Sequence, residues 1–480
     1  MKNILILTER FSDLLKWDFQ NRESIKYGFC GVSEGMDERR FLVRGAMTPG
    51  NDDYVKRDYS SASTSGHLVY RVYDKSFTEG TPGCIFVHTH PREAFFSEKD
   101  EKDTETHLRV LPDFSIRFYV RIVVGENGLV SDVHYLEKDG WERASIDYIM
   151  VYKHRGIEVI IPENSSFKPD FLIDNAIHNR TIQIGGGVEQ ALRMIGFLKL
   201  GIIGVGGIGN TFLHCYKHLG PKRLVLVDPD VLEKSNANRF MGYHPGDEGE
   251  PKVEISKRGL LAYNPDIEVE TYQERFPSKN TILALKSCDI ILATPDHHWA
   301  RLQASDFCSE HLKLLLSGGA GIYVDEKDMP YRLSCSTWLQ LPPPLGPCLR
   351  CLGINAELPP HYEELVLEAR RSYIKGFRDP GPTPASVVTL HLQCGNLLVR
   401  NILFYLSQIG DMPVPLHLVY DEIPLRFEDV TQIFKRREGC TVCGDNAFWG
   451  YGDYAPRIPR KQEMEAELEA DPPMLYSEVS

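Results

Sequence analysis

The 480-residue chain has no long apolar run, no basic excess and no internal repeat. Its apolar stretches fall well short of the roughly 20 residues a bilayer-spanning helix needs, so no membrane role is expected. With a formal net charge of −13 it lacks the basic surface that displaces phosphate counterions, which argues against a general nucleic-acid binder. One local nucleotide site remains compatible with that charge. A signal-peptide core is also missing, because Ile4-Leu5-Ile6-Leu7 is soon interrupted by Thr8-Glu9-Arg10. The expected location is the cytoplasm. There the 11 cysteines stay reduced, and paired Cys-x-x-Cys spacings point to metal before disulfide.

What is present is enough for two domains. Up to about residue 155, short apolar runs alternate with turns: Arg40–Arg44, Leu68–Val72, Cys84–Val87 and Ile116–Val124. These runs predict a mixed sheet. Thr8–Asn21 and Glu101–Val110 have helical spacing. Ile161–Pro169, rich in Pro, Asn and Ser, reads as a linker. Beyond it, strands at Leu198–Ile203, Leu224–Asp228, Ile290–Ala293 and Leu312–Leu316 alternate with helices at Asn210–Lys217, Val253–Tyr263 and from His298. That alternation predicts a parallel, doubly wound α/β sheet. Leu358–Pro384, bracketed by Pro-Pro and Asp-Pro-Gly-Pro-Thr-Pro, predicts a surface excursion, and the charged tail from about Pro456 predicts disorder.

Gly204-x-Gly206-Gly207-x-Gly209 follows a predicted strand and opens a helix. Glycines there permit a tight turn and let backbone N–H groups approach phosphate oxygens at a helix N-terminus. Asp228 ends the next strand, where a carboxylate can accept ribose hydroxyls. These features alone would equally suit a dinucleotide dehydrogenase. The residues downstream separate the two readings. Asn236, Arg239 and Lys252, followed by Asp296, cluster near strand carboxyl ends. Hydride transfer has no need of them. Attack on an α-phosphate needs cations around the phosphorus and a carboxylate to hold Mg²⁺.

With these residues in place, the run from Leu200 to about Gly319 resembles the ThiF/MoeB family and the adenylation domain of ubiquitin-activating enzymes. The resemblance implies ATP-dependent adenylation of the C-terminal carboxylate of a ubiquitin-like or sulfur-carrier protein. It assigns the Gly204, Gly206, Gly207 and Gly209 loop and Asp228 to the nucleotide. Asn236, Arg239 and Lys252 go to the phosphates, and Asp296 to Mg²⁺. Asn179-Arg180-Thr181 is similar to the family's Asn-Arg-Gln segment, so Arg180 would reach the phosphates from the partner subunit of a homodimer.

Cys348-x-x-Cys351 and Cys440-x-x-Cys443 offer four thiolates in two close pairs, enough to enclose Zn²⁺ tetrahedrally. The resemblance to ThiF-like enzymes makes this split tetrad a structural zinc clip. No cysteine falls in the excursion where many such enzymes carry a thioester nucleophile, so none is assigned.

The N-terminal region carries its own chemistry. His88-x-His90 ends an apolar strand and Ser97-x-x-Asp100 opens an acidic helical segment. Histidines at i and i+2 on an extended chain project to one side. With Asp100 they leave the fourth position of a zinc ion for water, and such a site then needs a general base. The arrangement resembles the JAMM/MPN metalloprotease motif. By that resemblance His88, His90 and Asp100 bind a catalytic Zn²⁺, Glu23 deprotonates the water and Ser97 stabilises the tetrahedral intermediate.

The expected organisation is a JAMM-type mixed α+β domain over residues 1–160 and a linker over 161–170. A Rossmann-like ThiF-type adenylation domain with its zinc clip follows over 171–455, then an acidic tail over 456–480. The two resemblances imply one polypeptide that cleaves and adenylates the same carrier protein, with a separate conjugating enzyme as a further partner. That organisation is similar to bacterial ubiquitin-like conjugation, antiviral-defence and sulfur-carrier systems. The alternative is adenylation of a peptide or small-molecule carboxylate, with the N-terminal domain as a binding module.

Overall fold

The computed structural model describes residues 1–296, 298–325, 329–352, 387–407, 409, 417–433 and 435–454. The excursion over 358–384 and the tail from 456 lie outside the described residues.

The first half is built on a nine-stranded mixed sheet. Its spatial order is Ile157–Ile160, Tyr148–Tyr152, Lys2–Thr8, Glu38–Met47, Ile25–Glu34, Gly83–Thr89, Phe118–Gly125, Gly128–Glu137 and Gly140–Ser145. Strand Gly83–Thr89 is interior, parallel to Phe118–Gly125 and antiparallel to Ile25–Glu34. It opposes Ile25 to His88, which brings Glu23 to the end of the strand where the histidines lie. Ser24 N donates to Thr89 Oγ1 at 2.9 Å, and Thr89 N donates to Ser24 O at 3.0 Å, fixing that alignment.

Two local expectations are corrected. Leu68–Val72, read as a strand from its branched and aromatic residues, belongs to helix Gly66–Thr78. Ser65 caps that helix, and Leu68, Val72, Tyr73 and Ser76 form its buried face, so spacing overrides β propensity. Thr8–Asn21, read as a helix, shrinks to a 3₁₀ turn over Glu9–Leu15. Thr8 ends the first strand, and of the turn only Phe11 and Leu14 are buried, an i,i+3 spacing that a 3₁₀ turn satisfies.

The second half is an eight-stranded sheet in the order Glu268–Tyr272, Arg223–Val227, Lys199–Ile203, Ile290–Ala293, Leu314–Val324, Pro330–Gln340, His417–Ile423 and Arg426–Asp429. The first five strands run parallel and the last three continue antiparallel. The strand order reverses between Lys199–Ile203 and Ile290–Ala293, the switch point at which doubly wound sheets bind nucleotides. Helix Gly207–Tyr216 starts there, and helix Val388–Leu406 lies along it. The helices meet at Gly395, where an added Cβ would stand 2.9 Å from Phe212 N.

No helix or strand forms over 161–174, but the segment is not loose. Glu163 N donates to Leu129 O at 2.8 Å, and Phe167 packs on Tyr148 at 4.9 Å between ring centroids. One hydrophobic cluster runs through both halves, joining residues such as Ile4, Phe41 and Tyr152 to Leu200, Leu292 and Leu314. At the seam, Arg40 of the first sheet is 2% exposed. It donates to Ser287 O at 2.8 Å, Cys288 O at 3.1 Å and Asp289 Oδ1 at 2.9 Å, and pairs with Glu38 at 2.5 Å. The last described residues return to the first sheet, where Gly452 bridges in parallel to Val32. Among the described residues no helix is long and apolar enough to cross a membrane.

Candidate functional site

At the switch point Gly204 adopts φ +91°, and its N–H donates to Val227 O at 2.8 Å. A Cβ there would lie 2.8 Å from Pro295 N, and one on Gly209 would lie 2.0 Å from Gly204 O. Only glycines permit so tight a turn into the helix. Asp228 is buried beside it. Its carboxylate accepts from Val205 N at 2.7 Å and from Asp230 N at 2.9 Å. Burial raises its pKa against the pull of the Lys252 cation. Lys252 opens helix Lys252–Tyr263, and its Nζ pairs with Asp230 Oδ2 at 2.7 Å.

Asn236 closes a 3₁₀ turn, Lys234–Asn236. Arg239 follows, donating to Ser235 O at 2.9 Å and Asn238 Oδ1 at 3.1 Å. Thr294 Oγ1 donates to Gly204 O at 2.8 Å, tying the loop that carries Asp296 to the glycine turn. The loop, Asp228, Lys252 and the Asp296 segment therefore meet at the carboxyl ends of the parallel strands. Arg180 instead lies on the exposed face of helix Asn175–Ile182. No motif points to His391, whose imidazole sits directly over Gly207.

The four clip cysteines converge from a 3₁₀ turn at Leu349–Leu352 and the loop over 440–443. Cys348 Sγ and Cys440 Sγ are 3.6 Å apart, and Cys351 Sγ and Cys443 Sγ 3.5 Å apart. Thiolates on one tetrahedral zinc stand about 3.8 Å apart, from Zn–S bonds of about 2.3 Å. The donor set thus fits Zn²⁺, and with four protein ligands it leaves no reactive position. Cys443→Ser is expected to remove one zinc per chain, read by elemental analysis, and to lower the thermal midpoint. Such sites contribute on the order of 10 kcal/mol to small zinc modules. Unchanged zinc content would show that the cluster holds none.

In the first half, His88 Nε2, His90 Nε2 and an Asp100 oxygen converge. The histidine nitrogens are 3.2 Å apart, His88 Nε2 is 3.2 Å from Asp100 Oδ1, and His90 Nε2 is 3.9 Å from Asp100 Oδ2. Nitrogen and oxygen donors on one tetrahedral zinc stand about 3.3 Å apart, so this set fits as well. The Ser-x-x-Asp spacing has a plain physical cause. Ser97 caps helix Glu98–Val110, and Asp100 reaches back to accept from Ser97 N and Oγ, each at 2.7 Å. The cap that starts the helix aims the ligand. Burial alone would raise the Asp100 pKa. The His88 and Ser97 hydrogen bonds more than offset it and hold the carboxylate well below its usual range. Burial and His88 push His90 down, keeping it a neutral donor.

Glu23 lines the same cleft of about 380 Å³, with Phe86, Phe95, Ser97 and Lys99 among its neighbours. Burial raises its pKa, opposed by His88. The Ala62 backbone N–H donates to its carboxylate, while Glu23 N donates to Asp58 O at 2.9 Å. A hairpin, Tyr54–Arg57 with Ala62–Thr64, thus holds the acid in place. Behind the cleft, Arg121 donates to Thr104 Oγ1 at 2.7 Å, and Thr104 Oγ1 donates to Asp100 O at 2.6 Å. In front, Trp17 Nε1 donates to His90 O at 2.8 Å. Sequence reasoning missed the hairpin, Arg121 and Trp17, which act through contacts distant in the chain. The structure turns His107 inward, onto the Tyr73 hydroxyl.

The second half is a nucleotide-site α/β protein by its strand order and its glycine turn. A ThiF family model matches residues 178–442, and the chain belongs to the ThiF family. It is 30% identical over 264 residues to a sulfur carrier protein adenylyltransferase of Thermus thermophilus, covering 55% of this chain and 87% of that protein. It is 26% identical to a SAMP-activating enzyme E1 of Haloferax volcanii, covering 51% and 79%. To an adenylyltransferase and sulfurtransferase of Arabidopsis thaliana it is 27% identical, covering 51% of this chain and 47% of that one. Residues 1–177 lie outside the family match.

Proposed function

We propose that this chain uses ATP to adenylate the C-terminal carboxylate of a ubiquitin-like or sulfur-carrier protein, and that its first half hydrolyses the bond that blocks that carboxylate. The observation that carries the first part is the meeting of Asp228, the glycine turn and Lys252 at the switch point of the parallel sheet. The substrate class is supported by relatives whose names specify sulfur-carrier or SAMP activation.

In this reading Asp228 accepts the ribose hydroxyls, and the loop N–H groups face phosphate oxygens. Asn236, Arg239 and Lys252 receive the charge that builds on the α-phosphorus as the carboxylate oxygen attacks and pyrophosphate leaves. Lys252, paired with Asp230, is assigned to the phosphates. Arg180, exposed on its helix, serves the site of a second subunit in a homodimer. Asp296 would hold Mg²⁺, which screens the triphosphate.

In the first half, His88, His90 and Asp100 would hold Zn²⁺, which polarises a carbonyl and makes bound water acidic. Glu23 would accept a proton from the water that adds to the carbonyl carbon and deliver it to the departing amine nitrogen. Ser97 is assigned to the tetrahedral intermediate; its Oγ donates to Asp100 in the resting site.

The test is ATP–pyrophosphate exchange with Gly-ending carrier proteins. Lys252→Ala and Arg239→Ala are each expected to slow exchange by about 10²–10³-fold, the usual scale for losing one transition-state donor. Nucleotide affinity should fall less, because Asp228 remains. Exchange that responds only to a short peptide or small acid would replace the carrier reading, and no exchange despite intact ATP binding would end it.

A further inference from the structure

Helix Val388–Leu406 brings one polar side chain to the nucleotide loop that no motif of the sequence assigns. His391 lies in its first turn, and the helix is locked in place by the close Gly395 contact with helix Gly207–Tyr216. A Cβ added to Gly207 would stand 2.2 Å from His391 Nδ1 and 2.5 Å from its Cε1. The imidazole therefore occupies the space beside the first residue of the helix whose N-terminus faces the phosphates. The glycine at 207 is required by that ring. Arg239, the expected phosphate ligand, is close enough to act on His391 electrostatically.

We propose that His391 is a phosphate-binding residue of this site, donating to the β- or γ-phosphate of ATP beside Gly207. Three features support it. The ring is held against the loop by helix packing, so little ordering entropy is lost on binding. Burial first, and then the Arg239 cation, push its pKa down to about 4. The free protein thus presents a neutral ring beside Arg239, and no charge repulsion has to be overcome before nucleotide arrives. Finally, the triphosphate is the part of ATP that belongs at this helix end, whereas the ribose belongs at Asp228.

The inference rests on the adenylation reading, and the experiment separates the two. ATP with Mg²⁺, and adenosine alone, are titrated calorimetrically into the full chain, its His391→Ala variant and its His391→Gln variant. His391→Ala is expected to weaken ATP roughly ten- to a hundredfold, the scale of one hydrogen bond to a charged group. Adenosine affinity should stay unchanged, and the Gln side chain, which keeps an N–H donor, should restore part of the loss. If ATP and adenosine weaken together, or neither weakens, His391 does not bind phosphate. A wild-type chain that binds no ATP would overturn the adenylation reading and this inference with it.

Discussion

Glu23→Gln is expected to slow cleavage of a carrier fusion by about 10²–10⁴-fold, the range attributed to a positioned general base. Zinc content and ATP–pyrophosphate exchange should not change. The substitution keeps the size of the side chain and a carbonyl oxygen for the Ala62 N–H, so the hairpin contact survives. It removes only the ability to take a proton. Glu23 touches none of the second half's proposed site residues, which is why exchange serves as the internal control. The measurement is fusion cleavage followed by gel or mass spectrometry at matched zinc loading. Cleavage at the wild-type rate would remove Glu23 from the mechanism. Cleavage lost along with zinc would mean that the change had damaged the ligand set.

Arg40→Met is expected to destabilise the whole chain by about 3–5 kcal/mol, the cost of breaking a buried ion pair from one side. Arg40 is raised far above the ordinary guanidinium range: burial acts against the charge, and Glu38 and Asp289 more than compensate. Without it, two buried carboxylates at the seam lose their cation. Asp289 also accepts from Lys199 N at 2.8 Å and has its carbonyl bound by Tyr152 OH at 2.9 Å, so strands of both sheets meet on that one residue. The loss should therefore appear in both activities. The denaturant midpoint and the thermal inactivation rates of cleavage and exchange are the readouts. A variant in which only one activity becomes labile would show that the halves unfold independently.

The features whose place in the fold was legible in the sequence were those with local causes. The glycine turn, Asp228 at a strand end and the strand–helix alternation all follow from neighbours a few residues apart. The same holds for His88-x-His90 and the Ser97-x-x-Asp100 cap. Arg40 illustrates what was not legible. It sits in a run that reads as an ordinary strand, and apart from Glu38 its partners lie about 250 positions away, in Ser287–Asp289. His391 was hidden for the same reason: it lies in an apolar helix, and only helix packing shows that it faces Gly207. Leu68–Val72 is helical and not extended because the spacing of its buried face outweighs the β propensity of its residue types.

The return of the chain to its own beginning bears on how the protein is made. Gly452 N donates to Glu310 O at 2.9 Å, and Asp453 N donates to Val32 O at 2.8 Å, so this short segment is held between the two halves. Gly31 is shaped for it, since a Cβ there would lie 2.2 Å from Gly450 O. A strand completed by residue 34 thus receives its last neighbour only when residue 453 has left the ribosome. Domains usually fold one after another during synthesis. Here the first half stays uncovered along Val32 until residues 450–453 are made, and their docking ties the two halves together.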